Sequence, residues 1–329
     1  MTLSIIIVNY RSANLIVDSI RSVARYNPGL DAEFIIVDNQ SGDDSKQLLE
    51  AGLKTPYSWV EMGYNAGFSR ANNAGMRVAR GKVYLLLNPD TLAIDDSITR
   101  CLNRFLASDY AACGVQQLNA DHTPQISGNY FMKGGLNHLL PLPYWGGLLR
   151  WLAFRAGAKT PHVADAKGEE EVDWISGAYL MVKRETVEKA GMMDEDFFLY
   201  AEEVEWCSRL RKVGKLCIYG EEHIIHLQGE TIGDKGYSGL FSRKDLQLMV
   251  SNHLRVRKQF GVGWFLFLLV NYTLGVPVFG VASFFHRLFT LRNPFGDWGR
   301  VGQFARNVWA LWILTPVIIR NKPHFYKIL

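Results

Sequence analysis

Carboxylate and amide side chains follow several apolar runs of this sequence, in positions where they could bind a ligand or a metal ion. The run of residues 82–87 leads straight into Asn88, Pro89 and Asp90. Asn-Pro-Asp is also good turn chemistry, because proline removes a backbone donor and Asn and Asp bond to their own backbone. Two earlier apolar runs end in the same way, at Asn9 and Tyr10 and at Asp38 and Asn39. A turn explains one such ending, whereas three predict a common site.

A group of acidic residues surrounds an aromatic stretch further along the chain. Helical periodicity begins just after it, so part of this acidity is explained by the favourable interaction of carboxylates with a helix N-terminus. A carboxylate here could also take a proton as a general base. The group consists of Asp194, Glu195, Asp196, Glu202, Glu203 and Glu205. His226 follows an apolar pair, and a lone histidine is more often structural than a ligand.

Strand and helix patterns alternate over the first part of the chain and would position these residues. Apolar β-branched runs predict strands over residues 3–10, 32–39, 58–63 and 82–88, with helices over residues 15–25, 46–51 and 69–79 between them. This alternation predicts a parallel sheet covered by helices on both faces. Ligands of such sheets bind beyond the carboxyl ends of the strands. Residues 174–184 predict a further strand, and residues 101–170 a less regular segment over the site.

The segment of residues 63–81 is rich in glycine and asparagine around a predicted helix N-terminus. Small residues allow close backbone approach, and the helix dipole attracts phosphate. Neither the G-x-G-x-x-G dinucleotide pattern nor the G-x-x-x-x-G-K-[ST] loop occurs in the chain. Nucleotide binding by another arrangement therefore stays open.

The composition limits the class of protein. With 329 residues, 48% hydrophobic and 21% charged, the chain is typical of a globular protein. The four cysteines are scattered and predict reduced, buried thiols rather than disulfides or a zinc site. The first residues show no signal-peptide pattern, so we expect a protein that is not exported.

The net charge of +4 conceals two oppositely charged parts. Residues 1–240 carry 24 Lys and Arg against 30 Asp and Glu, whereas residues 241–329 carry 12 against 2. Residues 259–285 contain no charged residue and are long enough to cross a bilayer. Polar residues interrupt this run and both of its flanks are basic, which favours helices that lie in or dip into the cytoplasmic face of an anionic inner membrane. A spanning helix or hairpin and a soluble, dimer-forming helical cap stay open.

Seven stretches of the chain, in order, resemble the inverting family 2 glycosyltransferases of the nucleotide-diphospho-sugar (GT-A) fold, especially bacterial rhamnosyltransferase-like members. They are SIIIVNYRS (4–12), FIIVDNQSGDDS (34–45), GYNAGFSRANNAG (63–75), YLLLNPDT (84–91), WISGAYLMVKR (174–184), DEDFFLYAEEVEWCSRLRKVG (194–214) and HLQGET (226–231). The resemblance implies an α/β GT-A catalytic domain over residues 1–240, with a mostly parallel sheet. Residues 241–329 would then form a basic, apolar, membrane-associated helical tail.

The resemblance also implies a role for each matching residue. Asp90 would bind Mg²⁺ or Mn²⁺, His226 would complete the metal or diphosphate contacts, and Glu203 would be the general base. The Glu202-Glu203 pair departs from the Glu-Asp pair usual in the family, so either glutamate could reach the acceptor. The donor would contact Val8, Asn9, Tyr10, Arg11, Asp38, Asn65, Gly67, Asn73, Asn88 and Asp90, and the acceptor side would include Trp174, Gly177 and Asp194.

The expected reaction moves a sugar from a nucleoside-diphospho-sugar to a hydroxyl of a lipid-linked or glycan acceptor in cell-surface polysaccharide assembly. The rhamnosyltransferase resemblance makes dTDP-rhamnose the first donor to test, before UDP- and GDP-sugars. Two other functions compete. A sugar nucleotidyltransferase would need a Gly-rich basic loop near the N-terminus, which NYRSANL does not supply. A nucleic-acid-binding protein would use the basic tail, but that tail is apolar between its charges, and we expect no nucleic-acid partner.

Overall fold

The computed structural model describes residues 1–155, 165–227 and 240–329, which form two compact units. The sheet unit contains residues 1–130, 165–198 and 202–227, and the helical unit contains residues 131–155, 199–201 and 240–329. The helical unit thus includes two segments that the sequence does not associate with the tail. The division into functional domains of residues 1–240 and 241–329 stays a prediction.

Eleven strands belong to the sheet unit within the described residues. They are β1 Leu3–Asn9, β2 Ala32–Asp38, β3 Tyr57–Glu61, β4 Val83–Leu87, β5 Thr91–Leu92, β6 Ala112–Leu118, β7 Gly128–Asn129, β8 Glu169–Val172, β9 Trp174–Ile175, β10 Tyr179–Lys183 and β11 Leu216–His226. The single strand predicted over residues 174–184 is wrong, because the chain leaves the extended conformation at residues 176–178 and forms β9 and β10 instead.

Ten α-helices accompany the strands in the described part of the chain. They are α1 Ala13–Tyr26, α2 Ser45–Gly52, α3 Gly67–Val78, α4 Ser97–Leu106, α5 Trp145–Arg155, α6 Arg184–Ala190, α7 Glu202–Leu210, α8 Arg243–Phe260, α9 Val262–Phe289 and α10 Trp298–Arg320. Helices α5, α8, α9 and α10 belong to the helical unit, together with a 3₁₀ segment at Lys133–Leu139.

The main sheet has the strand order β3-β2-β1-β4-β10-β6-β11-β5, and β8 pairs with β11. Strands β3, β2, β1 and β4 are parallel, as the alternating pattern predicted, and β10 runs antiparallel between β4 and β6. The chain reverses its direction of travel across the sheet between β1 and β4. This is a topological switch point, where ligand sites of open α/β sheets lie.

Two apolar layers cover the sheet and explain the five consecutive apolar residues of β4. Leu85 packs with helices α1, α2 and α4 on one face, whereas Leu86 packs with α3, α6 and α7 on the other. Successive side chains of a strand point to opposite faces, so a strand buried on both faces needs an unbroken apolar run. The four cysteines are buried and are not joined by disulfide bonds.

Helix α9 of the helical unit has one buried and one exposed apolar side. Phe265, Leu269 and Tyr272 are buried inside the unit. Seven exposed side chains recur every three or four residues and therefore form a stripe, which Phe289 extends by one residue: Phe267, Val270, Leu274, Val278, Val281, Phe285 and Leu288. Among the described helices, only α9 is long and apolar enough to cross a membrane.

Candidate functional site

The ends of β1 and β2 hold a hydrogen-bonded cluster of polar side chains. Asn9 lies opposite Asp38 in the parallel ladder, and its Nδ2 donates to Asp38 Oδ1 and to Ser41 Oγ, both at 2.9 Å. Ser41 Oγ donates to Asp38 Oδ1 at 2.6 Å. Asn9 and Ser41 are buried, so they position the half-buried carboxylate of Asp38. Sequence reasoning missed Ser41, because the segment after β2 has the composition of an ordinary turn.

The residues that follow β1 form the edge of this cluster. Arg11 adopts a left-handed backbone conformation with φ of 58°. Its backbone N–H donates to Ser41 Oγ at 3.0 Å, and its side-chain Nε donates to the Ser41 carbonyl at 3.0 Å. The Arg11 guanidinium lies 5.5 Å from the ring centroid of the exposed Tyr10. A cation and an aromatic face next to a carboxylate are groups that can contact a nucleotide, and half-buried Val8 precedes them.

A chain of amides joins the end of β2 to the start of α3. Asn39 Oδ1 accepts from Ala66 N at 2.6 Å, and Asn39 Nδ2 donates to Asn65 Oδ1 at 3.1 Å. Asn65 Oδ1 also accepts from Gly67 N at 3.2 Å. The helix N-terminus predicted to bind phosphate is therefore fixed beside the Asp38 cluster.

Gly67 allows the chain to approach very closely at the start of α3. It adopts φ of 73°, and a Cβ at this position would lie 2.2 Å from the carbonyl oxygen of Phe198. The adjacent N–H of Phe68 donates to the same oxygen at 2.8 Å. The sequence predicted Gly67 as a residue of the nucleotide side, and the structure adds that it fixes the segment leading to α7.

Asn73, predicted to support the nucleotide side, lies against the segment that precedes α7. Its Nδ2 donates to the Met193 carbonyl at 2.9 Å and to Glu195 Oε1 at 3.0 Å, and its Oδ1 accepts from Met193 N at 3.0 Å. Asn73 is buried, and its amide holds residues 193–195 in place. Asp194, predicted on the acceptor side, is half-buried and accepts from Asp196 N at 3.0 Å.

Asp90 and His226 meet where β5 and β11 pair. His226 lies opposite Thr91 in the antiparallel ladder, and the Leu227 N–H donates to the Asp90 carbonyl at 2.8 Å. His226 Nε2 is 3.5 Å from Asp90 Oδ1 and 3.5 Å from Asn88 Nδ2. The turn prediction also holds for this segment, since Thr91 Oγ1 donates to the Asn88 carbonyl at 2.7 Å.

The side chains of Asp90 and His226 are suitable ligands for a divalent cation that also binds a diphosphate. A carboxylate oxygen and an imidazole nitrogen face each other, and both side chains are largely buried. Within the described residues there is no group of three or more His, Cys, Asp and Glu side chains that could hold a metal ion. Mg²⁺ and Mn²⁺ sites of transfer enzymes commonly use one or two protein ligands and complete their shell with phosphate and water. Asp90 and His226 are the residues that would hold the ion.

Glu202 and Glu203 begin α7 but have different surroundings. Glu202 is 4% exposed, and its Oε2 has no hydrogen-bond partner among the described residues. Burial raises the pKa of the Glu202 carboxyl well above its usual value, and the negative charge of Glu203 raises it further. Glu203 is half-buried. A general base must be reachable and ionised, and these surroundings favour Glu203 for that task.

The backbone that leads into α7 is strained. Tyr200 and Ala201 have φ of 74° and 64°, a conformation that costs a residue with a side chain about 1–3 kcal/mol. Such strain is concentrated at functional sites, where the surrounding structure enforces it. Two strained residues therefore stand directly before the two glutamates in the chain.

Gly177 separates β9 from β10 and lies beside Glu203. A Cβ on Gly177 would be 3.5 Å from the Phe68 ring and 3.6 Å from Glu203 Cβ, which are ordinary contact distances. Trp174 is half-buried and pairs with Asn129 in the small β7–β9 sheet. Glycine is not required for the backbone at 177, so its missing side chain leaves space next to the glutamate. Residues 228–231 of the HLQGET stretch lie outside the described residues.

Residues 4–161 match the family model described as "Glycosyl transferase family 2". Residues 4–161 thus form a family 2 glycosyltransferase domain. Among curated proteins, the chain is 27% identical over 219 residues to the low-salt glycan biosynthesis hexosyltransferase Agl10 of Haloferax volcanii, covering 64% of this chain and 62% of that protein. It is 27% identical over 229 residues to the dTDP-rhamnosyl transferase RfbF of Shigella flexneri, covering 69% of each chain.

A shorter match, 30% identical over 103 residues, is to the N-acetylglucosaminyl-diphospho-decaprenol L-rhamnosyltransferase of Mycobacterium tuberculosis, with 31% of each chain covered. The alignments to the archaeal and mycobacterial proteins thus span less than two thirds of those relatives. These matches confirm the family and the rhamnosyltransferase-like character predicted from the seven stretches.

Two solved structures share the fold of this chain. A mannosyltransferase from Pyrobaculum calidifontis in complex with GDP-Man and Mn²⁺ has a TM-score of 0.54 and 15% identity, covering 95% of this chain and 86% of that one. Residues 1–349 of S. aureus TarS in complex with UDP-GlcNAc have a TM-score of 0.51 and 13% identity, covering 96% and 81%. The predicted GT-A fold is therefore confirmed.

Proposed function

We propose that this protein transfers a sugar from a nucleoside-diphospho-sugar to a hydroxyl of a lipid-linked or glycan acceptor, with inversion and with the help of Mg²⁺ or Mn²⁺. The observation that carries the proposal is the meeting of Asp90 and His226 at the carboxyl end of the sheet of a family 2 glycosyltransferase domain. The Asp38 cluster at the ends of β1 and β2 and the half-buried Glu203 supply the other two parts that such a transfer requires.

The donor would bind along the strand ends. In this proposal Asp38, held by Asn9 and Ser41, accepts hydrogen bonds from the nucleoside, and Tyr10 and Arg11 cover its base. Asn65 and Gly67 keep the start of α3 beside the same site. Asn88 and Asp90 face the diphosphate, and a divalent cation held by Asp90 and His226 would neutralise charge that develops on the leaving group.

Glu203 would take the proton of the attacking hydroxyl. The acceptor approaches the face of the sugar opposite the diphosphate, so a single displacement inverts the anomeric centre, and no nucleophilic side chain is required. Glu203 is reachable, whereas Glu202 is buried with a raised pKa, which supports Glu203 as the base. Trp174, Gly177 and Asp194 are proposed to line the acceptor side.

The first donor to test is dTDP-rhamnose. The Shigella and mycobacterial relatives are named rhamnosyl transferases, and the former name specifies a dTDP-rhamnosyl donor. The structural neighbours were solved with GDP-Man and UDP-GlcNAc, so these nucleotide classes are the next candidates. The mycobacterial relative's name also specifies a polyprenol-diphosphate-linked acceptor. That chemistry suits a protein with a large exposed apolar surface.

We propose that the helical unit places the protein on the cytoplasmic face of the inner membrane. The exposed stripe of α9 is continued by Leu291 and Phe295 between α9 and α10 and by Trp298 at the start of α10. Exposed arginines such as Arg292 and Arg300 lie in the same stretch of chain. An apolar stripe with interfacial tryptophan and neighbouring cations is typical of a helix in the plane of an anionic membrane. Because one side of α9 is buried within the unit, this arrangement is favoured over a lipid-surrounded span.

A donor panel tests the proposed function directly. The full chain in detergent is incubated with dTDP-rhamnose, UDP-sugars or GDP-sugars, with Mg²⁺, Mn²⁺ or EDTA, and release of nucleoside diphosphate is measured. The expected result is release from one donor class only, abolished by EDTA. Release of pyrophosphate from a nucleoside triphosphate and a sugar phosphate would instead identify a nucleotidyltransferase. Metal-independent release would contradict the role given to Asp90 and His226.

A further inference from the structure

Gln125, which the proposed function does not use, contacts the imidazole of His226 on the side away from Asp90. His226 Nδ1 is 3.0 Å from Gln125 Oε1, while Nε2 is the nitrogen that faces Asp90 and Asn88. The Gln125 side chain also reaches the backbone of the same histidine, since its Nε2 donates to the His226 carbonyl at 2.7 Å. Gln125 thus contacts His226 at two atoms, the ring Nδ1 and the backbone carbonyl oxygen.

The orientation of the Gln125 amide follows from its partners. A backbone carbonyl only accepts hydrogen bonds, so the amide nitrogen must face the His226 carbonyl. The same nitrogen donates to Asn119 Oδ1 at 2.7 Å. The amide oxygen is therefore the atom that faces the histidine ring. Because an amide oxygen only accepts, the ring nitrogen opposite it, Nδ1, must carry a hydrogen.

A directional chain of hydrogen bonds supports this orientation of Gln125. Asn119 Nδ2 donates to Thr123 Oγ1 at 2.8 Å, and the Thr123 hydroxyl donates to Asp121 Oδ1 at 2.6 Å. The carboxylate at the end of the chain can only accept, so each preceding group is oriented in turn. Asn119 consequently presents its oxygen, not its nitrogen, to Gln125.

We propose that Gln125 is a positioning residue that fixes His226 as the tautomer with its hydrogen on Nδ1. In a neutral imidazole of that tautomer, Nε2 carries a lone pair and lies 3.5 Å from Asp90 Oδ1 and 3.5 Å from Asn88 Nδ2. Two lone-pair atoms that face each other favour a cation between them. Outer-shell acceptors that fix a histidine in this way typically change metal affinity by about 10–100-fold. The claim that this tautomer helps to bind a cation rests on the proposed function. The assignment of the tautomer rests only on the hydrogen bonds of Gln125.

The tautomer is measured on the full-length protein without metal. Histidine-selective ¹⁵N labelling and long-range ¹H–¹⁵N correlation spectra distinguish the two tautomers, and the His226→Gln variant assigns the signal. The expected result is a hydrogen on Nδ1 in the wild-type protein and a shift towards the Nε2-protonated form in Gln125→Leu. A wild-type His226 with its hydrogen on Nε2 would overturn the proposal, whatever the variants do.

The second arm measures Mn²⁺ affinity in the presence of dTDP, by the electron paramagnetic resonance signal of free Mn²⁺. Gln125→Leu should bind Mn²⁺ about 10–100-fold more weakly than the wild type. Gln125→Glu keeps an acceptor for Nδ1–H but loses the donor to the His226 carbonyl and to Asn119 Oδ1, so its loss of Mn²⁺ affinity should be smaller than that of Gln125→Leu. Gln47→Leu, which changes an exposed glutamine on α2, should leave both readouts unchanged.

The two arms separate this inference from the proposed function. A hydrogen on Nδ1 in a wild-type protein that binds no Mn²⁺ would support the positioning role of Gln125 and refute the metal assignment of Asp90 and His226. Unchanged Mn²⁺ affinity in a folded Gln125→Leu protein whose tautomer has shifted would overturn the claim that the tautomer matters for the cation.

Discussion

Two regions of the protein depart from the usual pattern of burial in opposite ways. One is the carboxyl edge of the sheet, and the other is the outer side of the C-terminal helices. At the sheet edge, polar side chains such as Asn9 and Asp90 are almost fully buried. On the helical unit, large apolar side chains are exposed, up to 80% for Phe289 at the end of α9 and 96% for Leu291 after it. Burying polar groups and exposing apolar ones both cost free energy unless a partner compensates. The comparison teaches that the sheet edge suits a small charged ligand and the helices an extended apolar one.

The largest expected effect concerns Glu203, the proposed base. Glu203→Gln removes the proton acceptor but keeps the size of the side chain, so kcat should fall about 10²- to 10⁴-fold. The KM for the donor should change far less. Steady-state kinetics of nucleoside diphosphate release measure both quantities.

Glu202→Gln is the matched control, because it makes the same change one residue earlier. Its carboxyl is buried with a raised pKa, so we expect a milder loss of kcat than in Glu203→Gln. A larger loss of kcat in Glu202→Gln than in Glu203→Gln would identify Glu202 as the base instead.

The next prediction concerns lipid binding by the exposed apolar surface of the helical unit. The double variant Phe289→Glu and Leu291→Glu places two charges on the most exposed apolar side chains of the helical unit. Burial of one such side chain is worth about 1.5–3 kcal/mol, so binding to vesicles should weaken at least about tenfold. Co-sedimentation with vesicles containing phosphatidylglycerol gives the bound fraction.

Leu106→Glu supplies the control, since Leu106 is an exposed leucine of the sheet unit. It should leave vesicle binding unchanged. Equal binding of the double variant and the wild type would show that this apolar surface does not contact lipid.

A smaller effect is expected from filling the space beside Glu203. Gly177→Ala places a methyl group at ordinary contact distance from Phe68 and Glu203, so folding and Tm should be preserved. The space for the acceptor would shrink, and kcat/KM for the acceptor should fall, by roughly tenfold if one well-placed contact is lost. Gly147→Ala, at an exposed position with nothing near its Cβ, is the control. Unchanged acceptor kinetics in Gly177→Ala would remove Gly177 from the site.

The smallest effect is a pH-dependent gain in stability from Glu202→Gln. The folded-state pKa of Glu202 lies above its unfolded value. The stability that the wild-type carboxyl contributes is therefore complete below the unfolded pKa and is lost as the pH rises through the folded pKa. Glutamine does not titrate, so the free energy of unfolding of the variant should increase relative to wild type between pH 4 and pH 9. Denaturant titrations at the two pH values measure this difference, and a constant difference would mean that Glu202 is ionised in the folded protein.

The sequence predicts the strands and their polar ends well, for a physical reason. Strands buried on both faces need continuous apolar runs, so the positions of Asn9, Asp38 and Asp90 after such runs are visible without a structure. The parallel order follows from the alternation with helices. The break between β9 and β10 is not predicted, because Ser176 and Gly177, although a turn signal, lie between two apolar runs that read together as one strand.

The remaining parts of the site depend on tertiary packing. Ser41 and Gln125 lie in loops, and only the fold brings them to Asp38 and His226. Glu202 and Glu203 are consecutive, and successive residues of a helix point about 100° apart. Which of the two is buried is therefore decided by what packs against α7, and the sequence leaves that choice open.

The central claim is that the sheet edge is a single site for a metal ion and a nucleoside diphosphate. The most direct test is a crystal structure with Mn²⁺ and dTDP, with anomalous diffraction used to locate the manganese. The account predicts an anomalous peak at Asp90 and His226, with the nucleoside next to Asp38. A nucleotide bound elsewhere, or manganese bound away from Asp90, would contradict it.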